Sequence, residues 1–349
     1  MAPARVAAID FVVTHRTSQK AFPSLLWWRG VAEFIIAVSL CATLSSCSDD
    51  SEPVAPPPPP SGWFTQQSGT TNRLCDVSFF DAARGIAVGD GGTVLWTTNG
   101  GAAWTRINAG VGFSIYGVSF GDANTAAAVG EEGMILRTAT GGSSWVRVSI
   151  GLWEEFWDVS MVDAERGTLV GFGGAIFKTI NGGNTWLGQD SGTSAVLYGI
   201  CCPYGDRATA VGEGGLILRT SNGGTDWVKR TSGTTNRLLA VSFTDGSHGT
   251  VVGEGGTILR TTNAGADWVS QTSGTTVTLR GVSFADASTG TVVGDGGTIL
   301  RTTDGGDTWV SQTSGTTEAL YSVWLTSANI GTVVGDGGTI LRTVDGGGP

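Results

Sequence analysis

The stretch GDGGTILRTTDGGDTW, Gly294 to Trp309, decides the fold, because it occurs seven times in degraded form along the chain. Its closing tryptophan returns at Trp63, Trp104, Trp145, Trp186, Trp227, Trp268 and Trp309, always 41 residues apart. Leu74, Ile115, Phe156, Leu197, Leu238, Leu279 and Leu320 keep the same step. A fixed period in this range is the signature of a repeat architecture. Each unit holds four short runs rich in Val, Ile, Thr, Phe or Trp, as in Leu279–Phe284, Gly290–Val293, Thr298–Thr302 and Trp309–Gln312. Gly, Asp, Ser and Thr clusters separate them, which is strand and turn chemistry. No window offers the i, i+3, i+4, i+7 pattern of a helix, and the 56 glycines would be costly inside helices. Four strands per unit make a propeller blade.

The 287 residues from Trp63 to Pro349 equal seven periods, and the last unit lacks its tryptophan strand. Trp63-Phe64-Thr65-Gln66 can supply it. The expectation is an all-β, seven-bladed propeller over residues 63–349. Its last blade takes three strands from the C-terminal end and one from the N-terminal end, which removes two free sheet edges.

Ahead of the repeats, residues 1–47 read as a targeting segment. Phe34 to Leu44 is an apolar run of eleven residues behind Arg29, too short to span a bilayer and suited to the core of a secretory signal. Leu44-Ser45-Ser46-Cys47 is similar to a bacterial lipobox, which makes Cys47 the lipidation site; an ordinary cleaved signal is the alternative. Residues 48–62 are acidic and proline-rich, a tether with a polyproline rod at Pro56–Pro60. The protein is therefore expected to be an exported, membrane-anchored lipoprotein facing the periplasm or cell exterior.

A formal charge of −10 and a pI near 4.6 argue against a nucleic-acid binder, which needs a basic stripe. The chain has two histidines, and no His/Cys cluster has metal-ligand spacing, so neither metal nor cofactor is expected. Beyond Cys41 and Cys47 the cysteines are Cys75, Cys201 and Cys202; adjacent buried thiols at the last two are favoured over a vicinal disulfide.

Thr302-Thr303-Asp304-Gly305-Gly306-Asp307-Thr308-Trp309 matches the Asp-box pattern, S/T-x-D/N-x-G-x-x-W. The acid or amide caps the turn, glycine takes the positive-φ position, and the tryptophan fixes the hairpin to the sheet. Asn99 with Trp104, Asn181 with Trp186, Asn222 with Trp227, Asn263 with Trp268, Asp304 with Trp309 and Asp345 with Trp63 fill these places; blade two has Thr140. This box speaks for fold, not chemistry.

Three further columns carry candidate sites. Asp90, Glu131, Glu213, Glu254, Asp295 and Asp336 precede the third strand, with Phe172 breaking the series. Six residues later come Arg137, Lys178, Arg219, Arg260, Arg301 and Arg342, with Trp96 breaking that series. The two columns read either as a ring of ion pairs or as guanidinium groups offered to an acidic partner segment. The third column opens each first strand at the channel mouth: Cys75, Tyr116, Trp157, Tyr198, Leu239, Arg280 and Tyr321. Its aromatics suit an interface anchor or inter-blade packing alike. Blade three adds Leu152-Trp153-Glu154-Glu155-Phe156 where other blades have a bland SGTT loop.

The units VGDGGTILRTTDGGDTW and VGEGGTILRTTNAGADW resemble those of the photosystem II stability/assembly factor propellers, and the likeness covers Trp63–Pro349. The resemblance implies a seven-bladed lumenal-type protein that assists reaction-centre assembly through an arginine-rich patch. That role would fall here on Arg137, Arg219, Arg260, Arg301 and Arg342. Lys178 and Trp96 interrupt the ring, and the family domain also resembles secreted proteins of bacteria without photosystems. Two function classes follow. One is a non-enzymatic, lipid-anchored scaffold or assembly factor binding a protein partner, such as a membrane complex with an acidic segment. The other is an Asp-box carbohydrate-active protein, a sialidase-like hydrolase or lectin. The sialidase reading lacks its early Phe-Arg-Ile-Pro motif, and its arginines stand in a repeated column, so the scaffold is preferred.

Overall fold

The computed structural model describes residues 61–348. The targeting segment 1–47, Cys47 and the tether up to residue 60 lie outside the described residues. Seven four-stranded antiparallel sheets follow one another, each a meander in chain order. Blade six shows the pattern with strands Leu279–Phe284, Gly290–Gly294, Thr298–Thr302 and Val310–Gln312. In blade seven Leu320–Leu325, Gly331–Gly335 and Ile340–Thr343 are joined by Phe64–Gln66 from the other end, with Phe64 opposite Arg342 and Gln66 opposite Ile340.

Burial follows position in the blade. The second strand (GTVVG in blades five to seven) is buried at every residue because neighbouring blades cover both its faces. That is why it reads as a continuous apolar run. Outer strands keep only part of their surface covered, as at Val269 and Val310. Between the second and third strands the sequence D/E-G-G makes a short 3-10 turn. Gly297 there has φ +71, and a Cβ on it would lie 2.0 Å from the Thr316 carbonyl of the next inter-blade loop. Only glycine permits both that conformation and that approach. The turn and the inter-blade loop therefore share one end of the ring, with the first-strand starts; the Asp boxes occupy the other.

The Asp box is a closed set of hydrogen bonds. Thr302 Oγ1 accepts the Gly306 N–H at 2.8 Å and donates to Asp304 Oδ1 at 2.7 Å. Asp304 Oδ1 then accepts the Thr308 N–H at 3.0 Å. Thr97 with Asn99, Thr179 with Asn181, Thr220 with Asn222 and Thr261 with Asn263 repeat it. In blade two Thr140 Oγ1 accepts the Ser144 N–H instead. Asp345 completes its box across the chain ends by accepting the Gly62 N–H at 2.9 Å.

Four of the boxes are also tied to the blade before them. Trp104 donates to Gln66, Trp227 to Gln189, Trp309 to Gln271 and Trp63 to Gln312, at 2.9 to 3.3 Å. Those glutamines in turn donate to the carbonyls of Gly100, Gly223, Gly305 and Gly346. The glutamine column has Ile107, Val148 and Arg230 in its other places. Trp145 answers by donating to Gly142, within its own box. Trp186 and Trp268 are left with buried indole N–H groups that have no acceptor.

Two measurements bear on this frame. Arg230→Gln supplies the missing acceptor for Trp268 and removes a guanidinium whose buried Nε also lacks a partner; thermal unfolding should show a gain of about 1 kcal/mol. Deleting Ser61 to Gln67 should destabilise the whole ring, and Trp63→Ala alone should cost roughly 3–5 kcal/mol, since Trp63 packs among Leu320, Val323 and Leu341. A truncated protein that melts like the full one would mean that the ring does not depend on this strand.

Candidate functional site

The first-strand starts of the seven blades surround the mouth of a cavity of about 800 Å³ along the ring axis. Tyr116 and Trp157 stack face to face at 4.6 Å, and Tyr198 meets Trp157 edge-on at 5.6 Å. Across the ring Tyr321 lies under two guanidinium groups, those of Arg73 at 5.4 Å and Arg280 at 4.9 Å. The mouth thus has an aromatic side on blades two to four and a cationic side on blades six, seven and one.

Four mouth residues are set by the acid of their own blade's turn between the second and third strands. Tyr116 donates to Glu131 at 2.9 Å, Tyr198 to Glu213 and Tyr321 to Asp336 at 3.4 Å, and Arg280 forks onto Asp295. Burial, with the facing carboxylate, raises the Tyr116 and Tyr198 phenols above their ordinary values. Cys75 and Leu239 are poor partners for an acid, and in both blades an arginine two residues earlier replaces them: Arg73 on Asp90 at 2.8 Å and Arg237 on Glu254 at 3.6 Å. Blade three is the exception. Phe172 stands in the acid's place, and Trp157 keeps a buried indole N–H with no acceptor.

Behind the mouth two carboxylates interrupt a column that is otherwise Gly117, Gly199, Ala240, Gly281 and Ser322. Asp76 accepts from its neighbour Val77 N–H, from Val118 N–H on the next blade and from the Ser322 hydroxyl on the previous one, at 2.6 to 2.8 Å. Asp158 accepts from Val159 N–H at 2.7 Å and from Ile200 N–H of the next blade at 2.9 Å. Burial pushes the Asp76 carboxyl up to about 6, and burial together with the charge of Asp76 pushes Asp158 well above the usual range. Deeper still, the hydroxyls of Ser78, Ser119, Ser160, Ser242 and Ser283 accept backbone N–H groups of the following blade. Cys201 replaces serine in that column; it and Cys202 are free thiols, raised to about 12 and about 11 by burial. The two aspartates had a legible signal, an acid in a column of small residues, which attention to the repeated residues passes over. Among the described residues no three His, Cys, Asp or Glu side chains gather as a metal site.

The arginine column is not at this mouth, and among the described residues none of its members forms an ion pair with the acid column. Its side chains do not meet the acid column; they reach the opposite end of the ring and the blade that follows. Arg137 donates to the Gly182 carbonyl, Lys178 to Gly223, Arg260 to Ala287, Arg301 to Ala328 and Arg342 to Ala82. Even the departure Trp96 donates to Gly141 at 2.7 Å. Arg260 and Arg342 are 7% and 6% exposed and lie over Phe284 and Phe79. Arg219 is partly buried and has Arg207 and Arg230 for charged neighbours. A guanidinium buried against an aromatic ring and fixed to a carbonyl is a clamp between blades. Of the other candidates, Tyr116, Trp157, Tyr198 and Tyr321 do line the mouth, and Trp153 stands 76% exposed beside it.

These features define a closed seven-bladed Asp-box propeller with an aromatic-lined axial mouth. The family model of the photosynthesis system II assembly factor YCF48 matches residues 58–186, 231–310 and 270–349, and the chain belongs to that family. YCF48 bound to D1 peptide is similar in structure, with a TM-score of 0.69 at 23% identity, covering 82% of this chain and 96% of that one. YCF48 from Cyanidioschyzon merolae has a TM-score of 0.68 at 23% identity, covering 81% and 98%. The GH74 xyloglucanase from Xanthomonas campestris has a TM-score of 0.66 at 12% identity, covering 82% of this chain and 54% of that one. At such identities these structures show a shared fold and nothing further. No curated protein sequence matches the chain.

The carboxylates in the channel make stability depend on pH in a fixed sense. A carboxyl whose folded value lies above its unfolded value contributes stability that is full below about pH 4 and is lost as pH rises through about 6. Unfolding followed between pH 8 and pH 5 should therefore show stability rising by roughly 2 kcal/mol as pH falls. Asp245, held down to about 2 by its bonds to the His248 and Ser247 N–H groups and the His248 ring, reverses the trend only in stronger acid. Asp76→Asn with Asp158→Asn should flatten the profile; an unchanged slope would assign it to other groups.

Proposed function

We propose that this chain is a non-enzymatic protein-binding propeller, an assembly or stability factor that holds a segment of a partner complex at its axial mouth. The observation that carries the reading is the run of stacked rings, Tyr116, Trp157 and Tyr198, opening onto a cavity of about 800 Å³. Rigid aromatic surface that is already ordered binds with little loss of side-chain entropy. Membership of the YCF48 assembly-factor family supports the role, and YCF48 has been solved with a D1 peptide. In the acidic-segment form of the reading the contact would be the arginine column, of which Arg137, Arg260, Arg301 and Arg342 are bonded to carbonyls of the following blade; the protein partner is kept and its contact moves to the mouth. Export and attachment through Cys47, with residues 48–62 as the tether, belong to the same proposal. They would place the mouth beside a membrane complex.

The carbohydrate-active alternative finds two buried carboxylates in the channel, but their oxygens already accept backbone N–H groups of their own strand and of the next blade. Such carboxylates fasten inner strands together, where a hydrolase needs one free to meet the glycosidic oxygen.

Crosslinking capture from native membranes tests the proposal. The wild-type chain should retain a membrane-complex subunit, and Trp157→Ala should lower retention at least tenfold, the loss typical of an anchor residue, with the fold checked by circular dichroism. Undiminished capture by Trp157→Ala would remove the mouth from the function. Cys47→Ala should leave the chain soluble or as an uncleaved precursor, whereas an unmodified mature N-terminus elsewhere would refute the anchor.

A further inference from the structure

The end of the ring that carries the mouth is not uniform. On blades two and three it exposes three large aromatic or apolar side chains, Phe113 at 36%, Trp153 at 76% and Phe172 at 54%. Backbone bonds hold them in one neighbourhood. The Leu152–Glu155 loop is pinned on one side where the Gly133 N–H of the blade-two turn donates to the Glu154 carbonyl at 2.9 Å. On its other side the Phe172 N–H of the blade-three turn donates to the Glu155 carbonyl, also at 2.9 Å. Phe113 precedes Ser114, whose N–H donates to Glu131 Oε2 at 2.9 Å. Trp153 therefore stands between the Glu131-Glu132 turn and Phe172, with Phe113 beside Glu131.

The charge of this sector is of one sign. Glu131, Glu132, Glu154 and Glu155 lie among these aromatics, and the loops and turns that present them (110–116, 130–134, 150–157 and 171–175) contain no lysine or arginine. Arg73 on blade one, whose charge reaches Glu131, is itself engaged by Asp90. Blades one, five and six differ, for there Asp90, Glu254 and Asp295 each hold an arginine. Glu131 has instead the Ser114 N–H and the Tyr116 hydroxyl, which hold its carboxyl below the usual range and so keep it ionised. Among the described residues none of these four glutamates forms a salt bridge. Glu132 also takes the left-handed conformation, φ +53, at a place where the other six blades all have glycine. A non-glycine residue there costs about 1–2 kcal/mol, so the charge stands where the backbone would favour having none.

Resting on the protein-binding reading above, we propose that this aromatic and acidic sector of blades two and three is the docking surface for a lysine- or arginine-bearing peptide segment of the partner. Exposed indole and phenyl faces attract cations through the ring quadrupole. The glutamates, none of which is held in a salt bridge among the described residues, steer the same cations and pair with them. An acidic segment would meet four like charges here. A purely apolar one would leave them without partners.

The test uses the full chain and a fluorescently labelled ten-residue peptide of alternating Lys/Arg and Leu/Ala, with a Glu-for-Lys/Arg peptide as its counterpart, read by polarisation at two salt concentrations. The basic peptide should bind and the acidic one should not. Trp153→Ser should weaken binding about tenfold, and Glu132→Gly with Glu154→Gln by a similar factor. Neither change should lower the melting temperature, because Trp153 is exposed and Glu132→Gly restores the residue that the turn geometry favours. Glu318→Gln with Asp307→Asn removes two exposed charges elsewhere and should leave binding unchanged. Equal loss in that control would reduce the effect to overall charge and overturn the proposal, as would absence of binding or preference for the acidic peptide. Capture of a membrane partner that depends on Trp157 but not on Trp153 or the glutamates would also overturn it, while leaving the protein-binding reading in place.

Discussion

Contacts made between blades, not within them, hold this ring together. A four-stranded antiparallel sheet satisfies its own inner backbone but leaves two apolar faces that only its neighbours can cover. At the rim four of the seven Asp-box tryptophans reach back to a glutamine of the preceding blade, and third-strand arginines such as Arg260 reach forward to a carbonyl of the following one. Near the axis, serine hydroxyls and the carboxylates of Asp76 and Asp158 accept N–H groups of the next inner strand. Rim and axis are thus tied independently, so a defect at one leaves the other intact. Trp186 and Trp268 illustrate this: their indole N–H groups lack acceptors, yet both blades keep four paired strands.

The fold was open to reading because its causes are local and recur at one spacing. Glycines that must sit under a neighbouring carbonyl, threonines that must accept an N–H four residues on, and tryptophans that close the box leave columns at 41-residue steps. The arginine column was visible for the same reason but misread. Its partners are backbone carbonyls of another blade, and a carbonyl has no letter in a sequence; the acid column six residues earlier was the only partner that could be named. The acid stands in the turn before the third strand and the arginine near that strand's far end, which places the two columns at opposite ends of one blade. The mouth column was easier, since the first residues of every inner strand must face the axis at the same level.

What escaped notice entirely lies where the repeat is broken without changing its length. Asp76 and Asp158 occupy a small-residue column, and nothing about a single aspartate announces that its two oxygens will span two strands. The glutamine column was overlooked because only four of seven blades keep it. In the sequence Phe172 shows only as a gap in an acidic series. Its consequence, an indole at Trp157 deprived of the acceptor that Tyr116 and Tyr198 enjoy, needs the geometry.

These breaks differ in kind. Where Cys75 offers the turn acid only a weak thiol contact and Leu239 offers none, an arginine two residues earlier takes over, so the substitution is compensated and the local charge stays balanced. In blades two and three no such repair exists. The acid of blade two is doubled by Glu132, the inter-blade loop gains Trp153, Glu154 and Glu155, and Phe172 removes an acceptor without supplying another. Uncompensated changes that retain backbone strain, exposed indole and like charge have no rationale in the stability of the ring, whose other blades show the more stable solution. Backbone strain tends to gather at working sites. Single costs occur elsewhere, at the left-handed Ala264 and at the unpartnered indoles of Trp186 and Trp268, but blades two and three combine strain, exposed indole and like charge at the mouth end, which is the combination the proposed docking surface explains.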